Sequence, residues 1–531
     1  MNKYVFVTGG VMSGIGKGIT TASLAMLLKK MGYTVTIVKI DPYLNIDAGT
    51  MNPYMHGEVF VTDDGGETDL DLGHYERFLG INLSKENNIT TGKIYGSVIE
   101  KERKGVFLGQ TVQIIPHITN EIKDQLKDIS KKYSSDVTFV EIGGTVGDIE
   151  SLPFLEAARQ MSIDLGKENV VYIHIAYIPL LPNTGELKTK PLQHSVNELR
   201  RIGIQPDMIF GRSTVPINEE IKSKISLFTN VPMNGVISTH DVDIIYEVPI
   251  MLKKEGADKY IVQKLGLNYR EYSLDDWEDF LERLKNPSKS VKIAMIGKYT
   301  KLHDSYLSIK EAIIHASAFY RIKPELIWIE STDIEEDKIN LEEELNGING
   351  GIILPGFGKR GVEGKIRAIK MLRENNIPLL GICFGMQLSV VEFARNVVGL
   401  EGAHSTEINP QTPYPVVSLL EEQMNVKYLG GTMRLGSYAI KLVKNTKVYD
   451  MYKQEIVYER HRHRYEINPK YIDKLIENGL TISGYSLEGN RVEFIEYNSN
   501  RFFVGTQSHP EYKSRPLTPS PVYLSFIKSL F

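Results

Sequence analysis

Short apolar runs rich in β-branched residues alternate with amphipathic stretches through the first half of the chain. The strand-like runs are YVFVTGG, TVTIVKIDPY, DVTFVEIGG and VVYIHIAYI, and the amphipathic stretch ITTASLAMLLKKMG lies between the first two. The runs have the length and composition of buried strands, and the stretch between them has the period of a helix. Strands and helices that alternate in this way are typical of a parallel sheet covered by helices. We therefore predict an α/β fold.

The alternating pattern stops near residue 253 and starts again near residue 291. Between these points lie charged helical segments, among them SLDDWEDFLERL, and the polar linker KNPSKS. After the linker the strand-like runs return as VKIAMIGKY, ELIWIES, GIILPG and PLLGICFG. A restart of the pattern predicts a second domain with its own core. We expect an N-terminal domain over residues 1–265, a helical linker over 266–290 and a C-terminal domain over 291–531.

Composition and charge limit the classes of function. With 42% hydrophobic and 24% charged residues, the 531-residue chain is typical of a folded multi-domain protein. A formal net charge of −4 argues against general binding to nucleic acid or to an anionic membrane, and no apolar run has the length of a membrane span. A single cysteine forms no intrachain disulfide, and the apolar run in the opening MNKYVFVTGG is too short for a secretion signal. We therefore expect a cytoplasmic protein.

A glycine-rich turn follows the first predicted strand. The run TGGVMSGIGKGITT has the glycines and the lysine of a phosphate-binding loop, in which backbone N–H groups and a helix N-terminus face an anion. The match departs in two places, since Val11 stands where the usual spacing has glycine and Gly18 stands where a serine or threonine would bind a metal. Such a turn can also serve tight packing alone. Lys17, which can reach the β- and γ-phosphates, favours the phosphate interpretation.

Candidate metal ligands lie in two acidic segments. Asp71 belongs to a cluster with Glu67 and Asp69, and Glu141 ends the predicted strand in DVTFVEIGG. Because ligands bind at the carboxyl ends of parallel strands, we expect Glu141 to face the phosphate loop. Two carboxylates together with ATP would satisfy Mg²⁺, which prefers hard oxygen ligands. The acidic cluster could also be a solvated loop, but a carboxylate in a buried strand needs a charged partner.

Two further basic features stand out. Lys39 lies in VKIDPY, and Lys188, Lys190 and Gln193 lie in ELKTKPLQHSVNELRRIGIQPD. Lysines this close together predict either a second polyphosphate site or a solvated helix start.

The single cysteine lies in GICFG, a glycine-x-nucleophile-x-glycine sequence typical of a strand-to-helix elbow. A histidine base and a carboxylate follow in QSHPEY as His509 and Glu511, in the chain order of elbow hydrolases. The N–H of Phe384 and an N–H of PGFGKRG near Gly356 are the predicted oxyanion donors. Most unpaired cysteines are only small buried apolar residues. The elbow, the glycine loop and the His-Pro-Glu together favour a nucleophile.

These motifs resemble those of the CTP synthase family. In the N-terminal half the resemblance lies in VTGGVMSGIGKG, KIDPYLNIDAGTMNPYMHGEVFVTDDGGETDLDLGHYERF, VEIGGTVGDIESLPF and KTKPLQHSVNELRRIGIQPD, and in the C-terminal half in GICFGMQ, ERHRHRYEIN and SHPE. It implies a Rossmann-like P-loop amidoligase domain joined to an α/β class I glutaminase domain. The implied enzyme is a ligase that uses ATP, Mg²⁺ and ammonia from glutamine to convert UTP to CTP through a 4-phosphoryl intermediate. It further implies activation by GTP, homotetramers and, in some members, filaments.

The resemblance also implies the site residues. The implied ATP contacts are Ser13, Gly14, Ile15, Gly16, Lys17, Gly18, Ile19, Lys39 and Asp71, and the implied Mg²⁺ ligands are Asp71 and Glu141. UTP, or CTP as an inhibitor, is implied to bind at Ser13, Asp148, Ile149, Glu150, Lys188, Thr189, Lys190, Pro191, Leu192, Gln193 and Lys224. Glutamine is implied to bind at Gly356, Phe384, Gln387, Glu407 and Arg464 and to be cleaved by Cys383, His509 and Glu511, with His56 on the ammonia route.

Two departures from the family pattern bear on function. The chain has PGFG where the family usually has PGGFG, and Leu192 stands where many members have threonine. The first could weaken the use of glutamine, and the second could alter inhibition by CTP. Two other functions fit parts of the sequence: a P-loop amidoligase that acts on a carboxylate, and a partitioning-type ATPase or scaffold with an inert cysteine domain. The basic segment of KTKPLQHS argues against the first, because a carboxylate acceptor gives no reason for a second nucleotide site.

Overall fold

A computed structural model describes residues 2–419 and 432–531 of the chain. The backbone divides into two compact units. The N-terminal unit consists of the residues up to Asp47 together with Asp71–Asp276, and the C-terminal unit consists of Ala48–Leu70 and Trp277–Phe531. Of the helices that the structure describes, none combines the length and the apolar character that a membrane crossing requires.

Strands and helices are numbered in chain order. The strands are β1 (Lys3–Gly10), β2 (Val35–Asp41), β3 (Phe60–Val61), β4 (Glu67–Thr68), β5 (Asn88–Thr90), β6 (Val137–Ile142), β7 (Val170–Tyr177), β8 (Leu180–Leu181), β9 (Glu186–Leu187), β10 (Met208–Ser213), β11 (Val236–His240), β12 (Lys289–Gly297), β13 (Ile322–Glu330), β14 (Gly350–Ile353), β15 (Leu379–Ile382), β16 (His404–Ser405), β17 (Pro415–Leu419), β18 (Arg434–Leu442), β19 (Ile456–His463), β20 (Tyr465–Ile467), β21 (Leu480–Ser486), β22 (Val492–Tyr497) and β23 (Phe503–Thr506). The α-helices are α1 (Lys17–Lys30), α2 (Pro53–His56), α3 (Asp71–Leu79), α4 (Thr91–Arg103), α5 (Thr119–Lys132), α6 (Leu152–Leu165), α7 (Lys190–Arg201), α8 (Glu219–Thr229), α9 (Val248–Lys254), α10 (Ala257–Lys264), α11 (Asp275–Lys285), α12 (Leu307–Phe319), α13 (Ser331–Glu335), α14 (Leu341–Glu344), α15 (Val362–Glu374), α16 (Phe384–Asn396), α17 (Lys447–Tyr452), α18 (Ile472–Glu477) and α19 (Pro521–Lys528).

The N-terminal unit is built on a parallel sheet. Its strands follow the order β11-β10-β7-β1-β6-β2-β5, and each neighbouring pair is parallel. Strands β1, β2 and β6 are buried along almost their whole length, as expected for a sheet covered on both faces. The register places Lys39 of β2 beside Glu141 of β6. The predicted α/β fold is confirmed for this unit.

The C-terminal unit is built on a mixed sheet in the order β13-β12-β14-β15-β23-β22-β21-β18-β19. The pairs from β13 to β23 are parallel, and the sheet continues from β23 to β19 in antiparallel pairs. One core cluster includes side chains of α15 and α16, and a second includes side chains of α12 and α19. The predicted α/β fold is confirmed here too. Strand β15 runs into α16 at Cys383, at the carboxyl end of a parallel strand, where sites form in such sheets.

The segment Ala48–Leu70 packs within the C-terminal unit. It carries the antiparallel pair of β3 and β4. The fully buried Arg460 side chain donates from Nε to Asp63 Oδ1 at 2.6 Å, and the Phe60 ring meets the Tyr512 ring edge-on at 5.1 Å. No change in composition marks this segment, so the predicted N-terminal domain included it. The predicted domain bounds themselves stay a prediction.

Candidate active sites

The predicted phosphate loop links β1, the middle strand of the N-terminal sheet, to α1. Gly14 and Gly16 have φ angles of +72° and +84°, which glycine adopts without strain. Val11 also has a positive φ, +77°, which is strained for a β-branched residue. The Lys17 ammonium donates to the Gly144 carbonyl at 2.9 Å, and burial lowers the pKa of Lys17. The loop thus combines open backbone turns with a lysine, as a phosphate site requires.

Asp71 is the first residue of α3, and its carboxylate lies against Gly18 near the start of α1. A Cβ atom on Gly18 would lie 2.9 Å from the Asp71 carboxyl carbon and closer still to Oδ1. A side chain at position 18 would therefore displace the carboxylate. Glycine, in place of the usual serine or threonine after the lysine, leaves room for this carboxylate.

Lys39 joins the two predicted metal ligands. Its Nζ atom contacts Asp71 Oδ2 and lies 3.1 Å from Glu141 Oε1. Asp41 Oδ1 is 3.9 Å from the same Nζ, and the Tyr75 hydroxyl donates to Glu141 Oε2. Sequence reasoning missed Asp41 and Tyr75. The period of two along a strand could have found Asp41, because it follows Lys39 by two positions and therefore shares its face of β2.

The charges of this group fit a divalent cation. Burial raises the pKa of Glu141 against the opposing charge of Lys39. At Asp71 burial also acts to raise the pKa, but Lys39, His74 and Lys17 together hold it below its ordinary value. The oxygens of these carboxylates are the hard ligands that Mg²⁺ prefers. The described residues contain no group of three or more His, Cys, Asp or Glu side chains arranged to hold a metal ion by themselves. Mg²⁺ usually takes only one or two protein carboxylates and completes its shell with phosphate and water, so the residues present fit it.

The basic segment predicted to bind a second nucleotide begins α7. Thr189 and Gln193 are buried, and Gln193 Nε2 donates to Thr189 Oγ1 at 2.9 Å. Lys188 is partly exposed and forms an ion pair with Glu186 at 2.6 Å. Leu192 is fully buried in an apolar core cluster. Packing holds the Leu192 side chain in the core, so a nucleotide would contact Leu192 through its backbone, and this contact stays a prediction.

Most other predicted nucleotide contacts lie on the surface. Pro191 is partly exposed, and the exposed residues are Ser13, Asp148, Ile149, Glu150, Lys190 and Lys224. Among them, Ile149 is 79% exposed.

Behind the phosphate loop, a hydrogen-bond chain joins β1 to α7. Thr8 Oγ1 donates to the Ile173 carbonyl at 3.1 Å and lies 2.9 Å from His174 Nδ1. On the other side of the ring, His174 Nε2 lies 2.9 Å from the Ser195 hydroxyl oxygen. Burial lowers the pKa of His174 to about 3, so a neutral ring holds α7 against β1.

Cys383 occupies the sharp turn between β15 and α16. Its φ of +52° and ψ of −105° are strained for a residue with a side chain. A Cβ atom on Gly385 would lie 3.0 Å from the Ile353 carbonyl carbon and nearer still to its oxygen, and one on Gly381 would lie 3.0 Å from the Gly385 backbone. The turn has the geometry predicted for a nucleophile elbow, and its close packing requires both flanking glycines.

His509 and Glu511 lie in the same cavity as Cys383. The His509 Nδ1 and Glu511 Oε1 atoms are 2.7 Å apart. Nε2 is buried, and the ring also interacts with the Cys383 side chain. Burial acts to lower the pKa of His509, but the charges of Glu511 and Cys383 raise it to about 10. The ring is therefore an imidazolium at neutral pH, the form in which histidine stabilises a thiolate.

A cavity of about 440 Å³ opens over Cys383. Its lining includes every residue predicted to bind glutamine: Gly356, Phe384, Gln387, Glu407 and Arg464. Sequence reasoning missed two neighbours of the sulfur, since the Arg462 carbonyl and Gln507 Nε2 each lie 3.7 Å from Sγ. Gln507 directly precedes the predicted SHPE motif, so proximity in sequence was the available signal.

A second cavity, of about 240 Å³, also contains Cys383 and His509. It extends to residues 49–51 and 58–59 of the segment that packs within this unit. His56 lies at the end of α2 and is exposed. His56 is therefore close in sequence to residues that line this cavity, but it is not one of the lining residues.

Models of two known families match most of the chain. The model described as CTP synthase N-terminus matches residues 3–267, and the model described as glutamine amidotransferase class-I matches residues 301–529. The CTP synthase of Saccharolobus solfataricus is 61% identical over 531 residues, which cover 100% of this chain and 99% of the relative. The CTP synthase of Pyrococcus abyssi is 58% identical over 530 residues, which cover 100% of this chain and 98% of the relative. A solved structure of the Trypanosoma brucei CTPS glutaminase domain with bound acivicin is 36% identical with a TM-score of 0.42, and it covers 45% of this chain and 93% of its own.

Proposed function

Because the chain belongs to the CTP synthase family, we propose that it converts UTP to CTP with ATP as the phosphoryl donor and glutamine or free ammonia as the nitrogen source. One observation carries the proposal: the chain holds both a phosphate loop beside buried carboxylates and a buried Cys-His-Glu set beside a cavity of about 440 Å³. The first site suits ATP, and the second suits the release of ammonia. The enzyme would be a ligase that forms a C–N bond in pyrimidine nucleotide synthesis.

The synthase half would work in two steps. The 4-oxygen of UTP attacks the γ-phosphorus of ATP and N3 of the uracil ring releases its proton to solvent, which gives 4-phosphoryl-UTP and ADP. Ammonia then adds at C4 and phosphate leaves, which gives CTP after loss of a proton. Phosphorylation is needed because the uracil oxygen is a poor leaving group and phosphate is a good one. The protein's part is to position the two nucleotides and to compensate charge.

ATP would bind along residues 13–19, with Lys17 on its phosphates and Lys39 beside them. The backbone turns at Gly14 and Gly16 and the position of Lys17 support this assignment. Asp71 and Glu141 would hold Mg²⁺, which supplies charge neutralisation at the β- and γ-phosphates when bound. Lys39, which contacts both carboxylates, would keep them in place.

UTP, or CTP as an inhibitor, would bind at the segment that begins α7. The chain of hydrogen bonds from Thr8 through His174 to Ser195 supports this, because it fixes that segment against the strand that carries the phosphate loop. Exposed lysines at positions 190 and 224 would face the triphosphate.

The glutaminase half would use Cys383 as the nucleophile. Its thiolate attacks the side-chain amide carbon of glutamine, and His509 gives a proton to the departing ammonia, which leaves a thioester. Water then attacks the thioester, its proton returns to His509, and glutamate leaves as the thiolate re-forms. The N–H groups of Phe384 and Gly356 would hold the oxyanion. The strained elbow and the Glu511–His509 pair support these roles.

Ammonia would leave through the smaller cavity, which joins Cys383 to residues 49–51 and 58–59. An enclosed route matters because ammonia in water at neutral pH is almost wholly protonated and then has no lone pair for attack. His56, in the same segment, would lie on that route.

Regulation and assembly follow the family in this proposal. GTP would activate the glutaminase step, and the enzyme would be a cytoplasmic homotetramer that could form filaments. Exposed apolar side chains in the N-terminal unit support an assembly, and they include Val106, Leu108, Ile114, Ile115 and Ile149.

The test is CTP formation from UTP, ATP and Mg²⁺ with GTP present, with glutamine compared to ammonium chloride. Product from both sources is the expected result. The Cys383→Ala variant should lose the glutamine-driven product and keep the ammonia-driven product, whereas a scaffold with an inert cysteine would lose nothing. Absence of product from either source would refute UTP as the acceptor.

A further inference from the structure

We propose that Lys298 is a positioning residue that acts with Glu407 as a clamp on one peptide of the oxyanion loop, which we define as residues 355–358. The proposal rests on the glutaminase half of the proposed function. It assigns a role to a buried lysine that neither the sequence motifs nor the reaction steps above require.

The clamp grips the peptide between Phe357 and Gly358 at both ends. The Lys298 ammonium donates to the Phe357 carbonyl at 2.5 Å and to the Gly358 carbonyl at 2.8 Å. The N–H of the same peptide, carried by Gly358, donates to Glu407 Oε1 at 2.7 Å. A peptide with a cation at its oxygen and an anion at its nitrogen cannot rotate without breaking two charge-assisted hydrogen bonds.

A second lysine fixes the start of the loop. Lys365, in α15, is fully buried and donates to the Leu354 carbonyl at 2.5 Å. A Cβ atom on Gly356 would lie 3.9 Å from the Lys365 ammonium. The N–H of Gly356, the predicted oxyanion donor, therefore lies in a stretch held by Lys365 on one side and by the Lys298–Glu407 clamp on the other.

Two buried ammonium groups beside one loop are costly to maintain. Burial lowers the pKa of Lys298 to about 8 and that of Lys365 to about 7. A purely structural contact to a carbonyl does not need a charge, since a neutral donor would serve. The nearby positive charge has a use at this site, because the tetrahedral intermediate of glutamine hydrolysis is an oxyanion.

The clamp also bears on the short PGFG sequence. One glycine fewer than the usual PGGFG leaves a shorter backbone to reach the oxyanion position. Fixing the peptide orientation with Lys298 and Glu407 lets the shorter loop present a defined donor. Glu407 lines the glutamine cavity as well, so the clamp connects the substrate pocket to the donor loop.

The experiment compares Lys298→Met with the unchanged enzyme. Methionine keeps an unbranched side chain and removes the charge and the donors. We expect kcat for glutamine hydrolysis to fall about 10²-fold, as for a misplaced catalytic group, with KM for glutamine changed less than about threefold and ammonia-driven CTP formation unchanged. The control is Lys292→Met, which removes an exposed lysine from β12. This strand ends at Gly297, directly before Lys298.

A second readout separates loop positioning from general damage. Cys383 is the single cysteine, so its alkylation by iodoacetamide can be followed without background. Alkylation needs the thiolate but no oxyanion hole, so its rate should match that of the unchanged enzyme in Lys298→Met. If Lys298→Met does not fold, as judged by its unfolding temperature, Lys298→Gln takes its place with the same expected results.

The outcomes distinguish this proposal from the proposed function. Unchanged kcat in Lys298→Met, or a loss confined to KM, overturns the clamp while leaving the synthase intact. An unchanged enzyme that hydrolyses glutamine but makes no CTP overturns the proposed product and leaves the clamp testable on hydrolysis alone. An unchanged enzyme that hydrolyses no glutamine overturns the clamp and the glutaminase half of the proposed function, and ammonia-driven CTP formation then decides the synthase half.

Discussion

The Asp71 carboxylate and a side chain at position 18 would occupy the same space, and the chain has glycine at that position. The Asp71 carboxyl carbon lies 2.9 Å from where a Cβ atom of Gly18 would be. A phosphate loop of the usual kind places a serine or threonine hydroxyl on the metal at this position. In this protein the Asp71 carboxylate of helix α3 lies beside position 18. In the proposed magnesium site this carboxylate would take the place of that hydroxyl, while the loop keeps its glycine turns and Lys17.

Restoring the usual residue should damage the site. In Gly18→Ser the new side chain would push Asp71 away from Lys39, so we expect ammonia-driven CTP formation to fall by about 10²-fold. Ammonia-driven turnover is the right measurement because it bypasses Cys383. Gly96→Ser in α4 is the control, since a Cβ there meets no atom within 4 Å. If Gly18→Ser formed CTP from ammonia at nearly the rate of the unchanged enzyme, the position of the Asp71 carboxylate beside Gly18 would not be required for that reaction.

Replacing Val11 by glycine should stabilise the N-terminal unit. A left-handed φ costs an L-residue about 1–2 kcal/mol, and the flexibility of glycine in the unfolded chain offsets about 0.5–1 kcal/mol of that gain. We expect the free energy of unfolding of Val11→Gly to rise by about 0.5–1 kcal/mol. Val215→Gly, at an exposed position without a positive φ, should instead lower it. Chemical denaturation of both variants measures the difference, and a loss of stability in Val11→Gly would contradict the strain at this residue.

His174 should make the protein sensitive to acid. The folded ring takes up a proton only near pH 3, whereas an unfolded histidine does so near pH 6.5. Between these values the unfolded state binds more protons, so stability falls as the pH falls, by up to about 1.4 kcal/mol per pH unit. We expect His174→Gln to have a shallower loss of stability between pH 6.5 and 4.5. His194→Gln, one residue before Ser195 and exposed, should keep the original slope.

Removing the charge of Glu511 should move the alkaline limit of glutamine hydrolysis. Glu511 helps to raise the pKa of His509 to about 10, so the imidazolium that protonates departing ammonia is lost only as the pH rises through that value. In Glu511→Gln the pKa of His509 falls, and the decline in rate should begin at lower pH.

The same variant should lose about 10²–10⁴-fold in kcat for glutamine with ammonia-driven turnover unchanged. Tyr523→Phe is the matched control, because it removes only the hydroxyl that donates to Glu511 at 3.3 Å. Its rate profile should keep the original pH limit. Equal pH profiles for Glu511→Gln and the unchanged enzyme would argue against a charged pair.

Local chemistry was predictable wherever a motif sets it. Lys39 and Glu141 were chosen as single residues, and they meet because parallel strands β2 and β6 place them in register. The predicted glutamine residues come from loops far apart in sequence, yet they line one cavity. Their roles stay predictions, since position alone does not measure chemistry.

What the sequence did not reveal depends on packing at a distance. Leu192 is next to predicted ligands, but the helical period turns it into the core. Lys298 has no motif around it, and its proposed role follows only from its hydrogen bonds to the carbonyls of Phe357 and Gly358. The close approach of Asp71 to Gly18 could not be predicted from the sequence, because the two residues are 53 positions apart.

The contact between Asp63 and Arg460 also sets an order of events during synthesis. These residues are separated by 397 positions in the sequence. A ribosome adding roughly 5–20 residues per second would need roughly 20–80 s to make the intervening chain. During that time β3 and β4 have been made without Arg460, while the later strands of the N-terminal sheet, from β5 to β11, are made one after another. The N-terminal unit must therefore fold while the segment Ala48–Leu70 still lacks its partners in the C-terminal unit. A nascent chain released early would expose Phe60 and its neighbours to chaperones.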